Sequence, residues 1–483
     1  MVRKRRNSPF SPPPDTGRER GKQQKGSKDK NGETGKNPFF LGKDLVSGSV
    51  RCIFICFMKF FIRHQQNAKT LFLKDEEMAR KTVKSNDELR IGVIGAGGRG
   101  RLAYSAHKPG NGSRVVALCD IRDEAFKEWQ EFVGAKEKLF LTDDYRKLLD
   151  RKDVDAVFVT APDYLHEEFA LAALEAGKAV YLEKPMTITV EGCDKVLETA
   201  KKTGSKLFVG HNMRHMDFII KMKELIEAGT IGNLQTVWCR HFINYGGDAY
   251  FKDWHSEQKY TTGLLLQKGA HDIDVIHWLS GGFTKRVVGM GRLSVYNRCK
   301  NRRKASERGN ASWSQYNWPP LSQKGISPVI DVEDESTLMM QLDNGVLANY
   351  MQCHYAPDAC RNYTFIGDAG RIENIDERRI AIYTTRCGFG DPDTIIRMPP
   401  TVGGHGGADP DIVASFVTFA KGEGSIPSNS PIAARNSVAA GVLGSYSIRN
   451  GNVPMDVPPP DPDLVKYFNN GQKKASLRKS SKK

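Results

Sequence analysis

The chain has 483 residues, 39% apolar and 27% charged, enough for two buried cores and ordinary for a globular protein. Its net charge of +16 sits at the ends, with 17 basic against 8 acidic residues in 1–77 and 7 against none in 466–483, leaving 48 of each between them. A neutral middle argues against a nucleic-acid-binding body, and no apolar run reaches the roughly 20 residues that span a bilayer.

Residues 1–85 read as a basic disordered extension, because 1–47 are rich in Lys, Arg, Gly, Ser and Pro. The longest apolar run, 52–62, is broken by Lys59 and lies too far from Met1 for a signal peptide. Met78 begins a short leader before the first strand and is the expected natural start. The nine cysteines are odd in number and lack Cys-x-x-Cys spacing, which points to reduced thiols in a cytoplasmic protein.

Strands expected at 90–94, 114–119, 156–160, 179–182 and 206–210 alternate with helices at 101–107, 124–133, 167–176 and 190–203. That alternation predicts an α/β domain with a doubly wound parallel sheet over 86–210. From 211 to 455 the pattern changes to strands at 235–242, 287–295, 336–342, 346–354 and 361–366, with helices at 264–279 and 410–421. Asp343-Asn344-Gly345 reads as a type I′ hairpin turn. The second domain is therefore expected to be α+β, on a large, mostly antiparallel open sheet. Residues 297–328, with Arg302, Arg303, Lys304, Trp313, Tyr316 and Trp318, read as an inserted loop, and 456–483 as a basic disordered tail.

The turn Gly95-Ala96-Gly97-Gly98-Arg99-Gly100 directly follows the first strand and opens a helix. There, glycines let backbone N–H groups and a helix N-terminus meet a pyrophosphate, so the spacing predicts dinucleotide binding. Asp120 ends the second strand, where a carboxylate accepts the ribose hydroxyl protons and favours NAD; Arg122 leaves room for the 2′-phosphate of NADP. Glu183-Lys184-Pro185 follows a strand and places Lys184 over the crevice in which such a sheet binds its ligand. On the helix at 264–279, Gln267, Lys268 and His271 share one face. Lys268 reads either as a ligand-binding cation or as the i,i+4 partner of Asp272, and His271 alone reads as a core histidine. The segment 403–410 (GGHGGADP) offers His405 to a ligand and Asp409 as a helix N-cap. His271, Asp272, Asp274 and His277 point in different directions from neighbouring helical positions, so no metal site is expected.

Together these motifs resemble the glucose–fructose oxidoreductase/inositol dehydrogenase (Gfo/Idh/MocA) family across residues 89–450. The matching pieces, in order, are 91–100 (IGVIGAGGRG), 160–166 (TAPDYLH), 183–185 (EKP), 210–214 (GHNMR), 229–232 (GTIG), 271–274 (HDID) and 367–371 (GDAGR). The resemblance implies a Rossmann domain followed by an open-sheet domain, often used for oligomerisation, and hence a homo-oligomer. It implies a dehydrogenase acting on a secondary alcohol or ketone of a sugar, cyclitol or polyol. NAD would lie on the glycine turn, Asp120, Thr160, Pro162, His166, Glu183, Lys184 and Asn212. Lys184 and His271 would be the proton-transfer groups, and Arg214, Gln267, Lys268 and His405 would line the substrate pocket. The family also contains NAD-dependent glycosidases that oxidise transiently, and non-catalytic dinucleotide-binding sensors. One departure stands out: many members have aspartate where this chain has Gln267, and an amide cannot relay a proton.

Overall fold

The computed structural model describes residues 88–312, 317–386, 388, 390–401 and 403–473. The leader, its expected start at Met78, the apolar run at 52–62, Trp313, Tyr316, Cys387 and residues 474–483 lie outside the described residues.

The first sheet contains β1 (Leu89–Ile94), β2 (Ser113–Cys119), β3 (Phe140–Thr142), β4 (Ala156–Val159), β5 (Ala179–Leu182) and β6 (Leu207–Val209). All pair in parallel in the order β3-β2-β1-β4-β5-β6, so the strand order reverses between β1 and β4. Strands covered on both faces read as continuous apolar runs, which made five of the six recognisable; the short β3 was missed. Between β5 and β6, the helix Val190–Thr203 begins where Thr189 Oγ1 accepts the Gly192 N–H at 3.0 Å. It stops at Gly204, whose φ of +75° suits a residue without Cβ. The segment after the glycine turn, expected as an α-helix from 101, is instead a 3-10 helix, Gly98–Ala106. A three-residue repeat sets Gly100, Ala103 and Ala106 in one buried row, so glycine and alanine make the tighter winding feasible.

The second sheet contains β7 (Leu234–Phe242), β8 (Thr284–Arg292), β9 (Glu335–Leu342), β10 (Leu347–Cys353), β11 (Cys360–Gly367), β12 (Arg371–Asp376), β13 (Arg379–Tyr383), β14 (Thr394–Arg397) and β15 (Met455–Asp456). Its order is β14-β13-β12-β11-β7-β10-β9-β8-β15; only β7 and β10 run parallel. Along β7, Val237, Cys239 and His241 are buried while Trp238 and Arg240 face outward. The turn between β9 and β10 is not type I′. Within it only Gly345 has positive φ (+93°), and its N–H returns to Leu342 O at 3.1 Å, a three-residue turn closed by a left-handed glycine.

Three of the longer helices were not legible as such. Asp217–Glu227 leads into the second sheet. Pro431–Arg449 is buried on nearly every side, so it lacks the polar stripe that marks an amphipathic helix. Its small residues allow close packing: a Cβ on Gly444 would lie 2.4 Å from Leu338 Cδ1. The third, Pro462–Asn469, corrects the expected tail from 456. Asp461 caps it, Leu464, Tyr467 and Phe468 are buried, and Gln472 beyond it accepts from Leu207 N (2.8 Å) and donates to Leu207 O (2.6 Å). A side-chain amide thereby occupies an open edge of β6.

The helix Ala408–Lys421, although late in the chain, joins the core of the first sheet. Phe416 packs against Phe158, Tyr181 and Phe208 at ring distances of 5.1, 5.5 and 5.7 Å. The expected division at 211 therefore does not hold for this helix. Ile243, Tyr250, Phe251, Leu264, Tyr296, Ile326 and Val332 belong to a separate apolar cluster, which anchors the described part of the insertion. Among the described residues no helix is long and apolar enough to cross a membrane.

Candidate active site

The glycine turn is shaped by the backbone around it. Gly95 has φ +86°, and a Cβ there would lie 2.6 Å from Ala161 N; a Cβ on Gly100 would lie 2.3 Å from Gly95 O. Thr160 Oγ1 donates to Gly95 O at 2.8 Å, and Trp129 Nε1 to Ala96 O at 2.9 Å. Asp120 accepts the Gly97 N–H at 2.9 Å and the Arg122 N–H at 3.0 Å, with Arg122 Nε 3.2 Å away. Gly98 is exposed with nothing within 4 Å of its Cβ position, and the 3-10 helix starts without a side-chain cap. An open glycine, uncapped N–H groups and a carboxylate at the next strand end fit a dinucleotide.

Several residues expected to touch the cofactor are committed elsewhere. Arg99 Nε donates to Glu183 at 2.6 Å, while its Nη atoms hold Asp409 at 2.8 and 3.0 Å. Asp409 also receives Asn212 Nδ2 at 3.2 Å and lies 2.9 Å from His405 Nδ1. It is therefore not the N-cap, a position held by Gly407, but the centre of a cluster tying Ala408–Lys421 to the glycine turn. His405 is drawn to that cluster through Nδ1. The ring nitrogens of His166 face Pro185 O at 2.7 Å and Ala161 O at 2.9 Å, so this histidine tethers two loops. Pro162 precedes the 3-10 turn Asp163–Leu165.

Lys184 stands at the end of β5, its backbone N–H donating to Glu183 Oε2 at 2.7 Å and its Nζ to Gln267 O at 3.3 Å. Burial lowers its pKa to about 8, with Lys268 and Arg99 adding to the fall and Glu183 and Asp163 opposing it. The expected helix at 264–279 is two, Leu264–Gln267 and Gly269–Ser280, meeting at Lys268. Burial, then the charge of Arg361, lowers Lys268 to about 7 against the pull of Asp272. Its Nζ lies 3.2 Å from Tyr245 OH and 5.7 and 5.9 Å from the rings of Tyr245 and Tyr250. Burial and the cations of Lys184, Lys268 and Arg361 hold His271 well below the usual histidine range.

The same helix is pinned by two carboxylates. Asp272 accepts from Tyr350 (3.1 Å) and Tyr363, faces His241 Nδ1 at 2.9 Å and lies 3.1 Å from Arg361 Nε, so its role is set by the sheet. Asp274 takes both Nε and Nη2 of Arg214 at 2.7 Å and lies 2.9 Å from His211 Nδ1. Arg214, expected in the substrate pocket, is thus a buried structural cation, donating also to Ser428 O at 2.6 Å. His277 Nε2 meets Thr284 Oγ1 at 2.7 Å, and among the described residues no group of three or more ligating side chains could hold a metal ion.

Buried polar atoms on these elements with no hydrogen-bond partner among the described residues include His271 Nδ1, Gln267 Oε1, Asn212 Oδ1 and His211 Nε2, along with His277 Nδ1 and Ser280 Oγ farther along the same helix. Such orphans are rare in folded proteins and mark where a polar ligand would bind. Arg361 and Tyr245 were missed from the sequence, having no local signature; Tyr245 OH meets Lys268 Nζ, and Arg361 meets Asp272 from β11.

Residues 89–211 match the model of an oxidoreductase family with an NAD-binding Rossmann fold, and residues 219–373 that of the GFO/IDH/MocA C-terminal domain. The two matches together span more than half of the chain. The chain belongs to the GFO/IDH/MocA oxidoreductase family. Its first sheet is the family's NAD-binding Rossmann domain.

YteT of Bacillus subtilis, named as an oxidoreductase, is 26% identical over 389 residues, 70% of this chain and 87% of its own length. The inositol 2-dehydrogenase/D-chiro-inositol 3-dehydrogenase of Halalkalibacterium halodurans is 35% identical over 194 residues, 40% of this chain and 52% of its own. The inositol 2-dehydrogenase of Serratia proteamaculans is 37% identical over 195 residues, 40% of this chain and 54% of its own. The chain thus spans about half the length of these inositol dehydrogenases in the matched region. Among solved structures, a levoglucosan dehydrogenase in complex with NADH and L-sorbose has a TM-score of 0.62 at 20% identity, over 77% of this chain and 99% of that one. An oxidoreductase domain protein from Kribbella flavida has a TM-score of 0.63 at 21% identity, over the same shares. At such identities the likeness is one of fold.

Proposed function

We propose that this GFO/IDH/MocA oxidoreductase interconverts a secondary alcohol and a ketone on a sugar, cyclitol or related polyol. The observation that carries the reading is the part-buried Lys184 Nζ, which donates to the Gln267 carbonyl, on a site whose His271 Nδ1 has no partner among the described residues. NAD, when bound, supplies the hydride acceptor; the chain's residues bind the substrate and handle its proton. Neutral Lys184 takes the hydroxyl proton in oxidation and returns it in reduction. His271, kept neutral by burial and its cationic neighbours, hydrogen-bonds the same oxygen and fixes its direction. This assigns proton transfer to Lys184 ahead of His271, whose electrostatic surroundings make it a weak base. Asn212 Oδ1 and Gln267 Oε1 supply further acceptors for substrate or nicotinamide N–H and O–H groups. A panel of sugars, uronates and inositols with NAD, read by NADH absorbance, tests the reading. Sugar release without net NADH, or no NADH with any of them, overturns it.

The pH dependence follows from Lys184. Oxidation needs the free amine, so kcat/KM is expected to rise with pH to about 8 and then level; reduction needs the ammonium and falls above about 8. His271→Asn keeps that midpoint and Lys184→Met removes it, measured as pH profiles in both directions.

Cofactor choice rests on Asp120. Asp120→Asn is expected to reduce the preference for NAD over NADP by about tenfold to a hundredfold, the worth of a charge-assisted hydrogen bond. The ratio of kcat/KM for the two cofactors checks this. The outward face of the second sheet, with Trp238, Met290, Met339, Met351 and Ile366 exposed, supports self-association through that sheet.

A further inference from the structure

Along the first sheet the strands β1, β4, β5 and β6 lie side by side in that order. The glycine turn follows β1, the loop 160–166 follows β4, Lys184 follows β5 and His211 follows β6. Leu182 pairs with Val209, and the Gly210 N–H returns to Leu182 O at 2.8 Å. Lys184 and His211 thus stand two residues beyond the paired ends of strands about 5 Å apart. From the other side, the helix Gly269–Ser280 presents His271 and Asp274 three residues apart, and so on one face. Asp274 Oδ1 lies 2.9 Å from His211 Nδ1. His211 therefore sits between the end of β5 and the helix face that carries His271.

Its orientation is fixed. Asn429 Nδ2 donates to Val209 O at 3.2 Å and to His211 O at 3.0 Å, and His211 is only 3% exposed. The Asp274 carboxylate draws the ring proton to Nδ1, so Nε2 presents a lone pair. That buried atom has no hydrogen-bond partner among the described residues. Asn212 Oδ1, next in the chain, and His271 Nδ1, on the shared helix face, are likewise unpaired. Buried acceptors are costly to leave unmet, so this pocket suits a ligand that brings a donor.

The order of the strands indicates which ligand brings it. The glycine turn is at β1 and the reacting hydroxyl is placed at Lys184 on β5, so β6 lies beyond the reacting centre, on the side away from the glycine turn. On a polyol, the first donor beyond the reacting carbon is the hydroxyl of its neighbour.

We propose that His211 is a specificity-determining residue, whose Nε2 accepts a hydrogen bond from the hydroxyl on the carbon next to the one oxidised. This rests on the dehydrogenase reading above and narrows its substrate class to vicinal diols whose second hydroxyl is free.

The test pairs D-glucose, D-galactose and myo-inositol with their monodeoxy analogues. Turnover with NAD gives kcat/KM, and titration of the enzyme–NADH complex, followed by NADH fluorescence, gives binding. In the wild type, loss of one hydroxyl beside the reacting carbon is expected to lower kcat/KM by about tenfold to a hundredfold, because a buried acceptor is left unpaired. His211→Asn keeps a donor towards Asp274 but has no atom in the place of Nε2. It is expected to use parent and analogue nearly equally, with NADH affinity unchanged. His211→Gln, whose amide oxygen reaches the place of Nε2, is expected to restore most of the discrimination, which a packing role would not do. Discrimination that persists in His211→Asn, or is absent from the wild type, overturns the assignment and leaves the dehydrogenase standing. So does a fall in NADH affinity with discrimination intact, which gives Nε2 to the cofactor. Binding that selects the parent, is lost in His211→Asn and leads to no turnover upholds the assignment and overturns the dehydrogenase. Neither binding nor turnover with any of them overturns both.

Discussion

Lys184→Met is expected to lower kcat by about a hundredfold to ten-thousandfold, the usual worth of a positioned proton-transfer group. The substituted side chain is similar in length, so the packing at the end of β5 is retained while the amine is lost. NADH binding is expected to persist, because Lys184 Nζ contacts the Gln267 carbonyl and not the glycine turn. A second consequence separates this from a packing defect. After burial, the charge of Lys184 is the strongest influence that holds His271 low, so its removal raises the histidine pKa. Residual activity in Lys184→Met should thus depend on pH through a new, lower limb absent from the double variant Lys184→Met/His271→Asn. Kinetics across pH, with NADH titration by fluorescence, measure both; unchanged turnover would remove Lys184 from the chemistry.

Asp274→Ala is expected to destabilise the fold by about 3–5 kcal/mol, the loss seen when one member of a buried ion pair is removed. Asp274 is buried; although burial raises its pKa, the Arg214 guanidinium and His211 hold it far below the usual carboxylate range. Removing it leaves Arg214 buried with only Ser428 O and the Trp278 ring, 5.1 Å away, as compensation. Replacing both partners, as in Arg214→Met/Asp274→Leu, should recover much of the loss, because no charge is then stranded. Thermal unfolding of the three variants decides it. A single variant within about 1 kcal/mol of the parent would show that water reaches the pair.

Much of the fold could be read from local order. The strands of the first sheet are short apolar runs between helices, and the glycine turn sits where β1 ends, so neighbouring residues carried the signal. Lys184 and His271 were singled out only through the family resemblance, since local order gave no more than a lysine at a strand end and a histidine that alone reads as core. The helix Pro431–Arg449 was not legible, since a segment buried all round has no polar face to give it a period. The tail was misread because its basic charge begins at Lys466, inside a helix whose other face buries Leu464, Tyr467 and Phe468.

Charged side chains were hardest to place. Arg214 and Lys268 are both cations near the same helix, and sequence assigned both to the substrate. The first is consumed by Asp274, 60 residues away, and Arg99 by Asp409, 310 residues away. No local rule relates residues so far apart. Arg361 escaped notice for the same reason, although it is the guanidinium that faces the site's most heavily shared carboxylate, Asp272.

The sequence by itself determined the family, the doubly wound sheet and the glycine turn, because each depends on residues adjacent in the chain; Lys184 and His271 were named only through the family resemblance. Only the tertiary structure decided which cations are spent on carboxylates. Charge pairing depends on distance through space and on burial, and both are set when β11, the helix Gly269–Ser280 and the end of β5 meet.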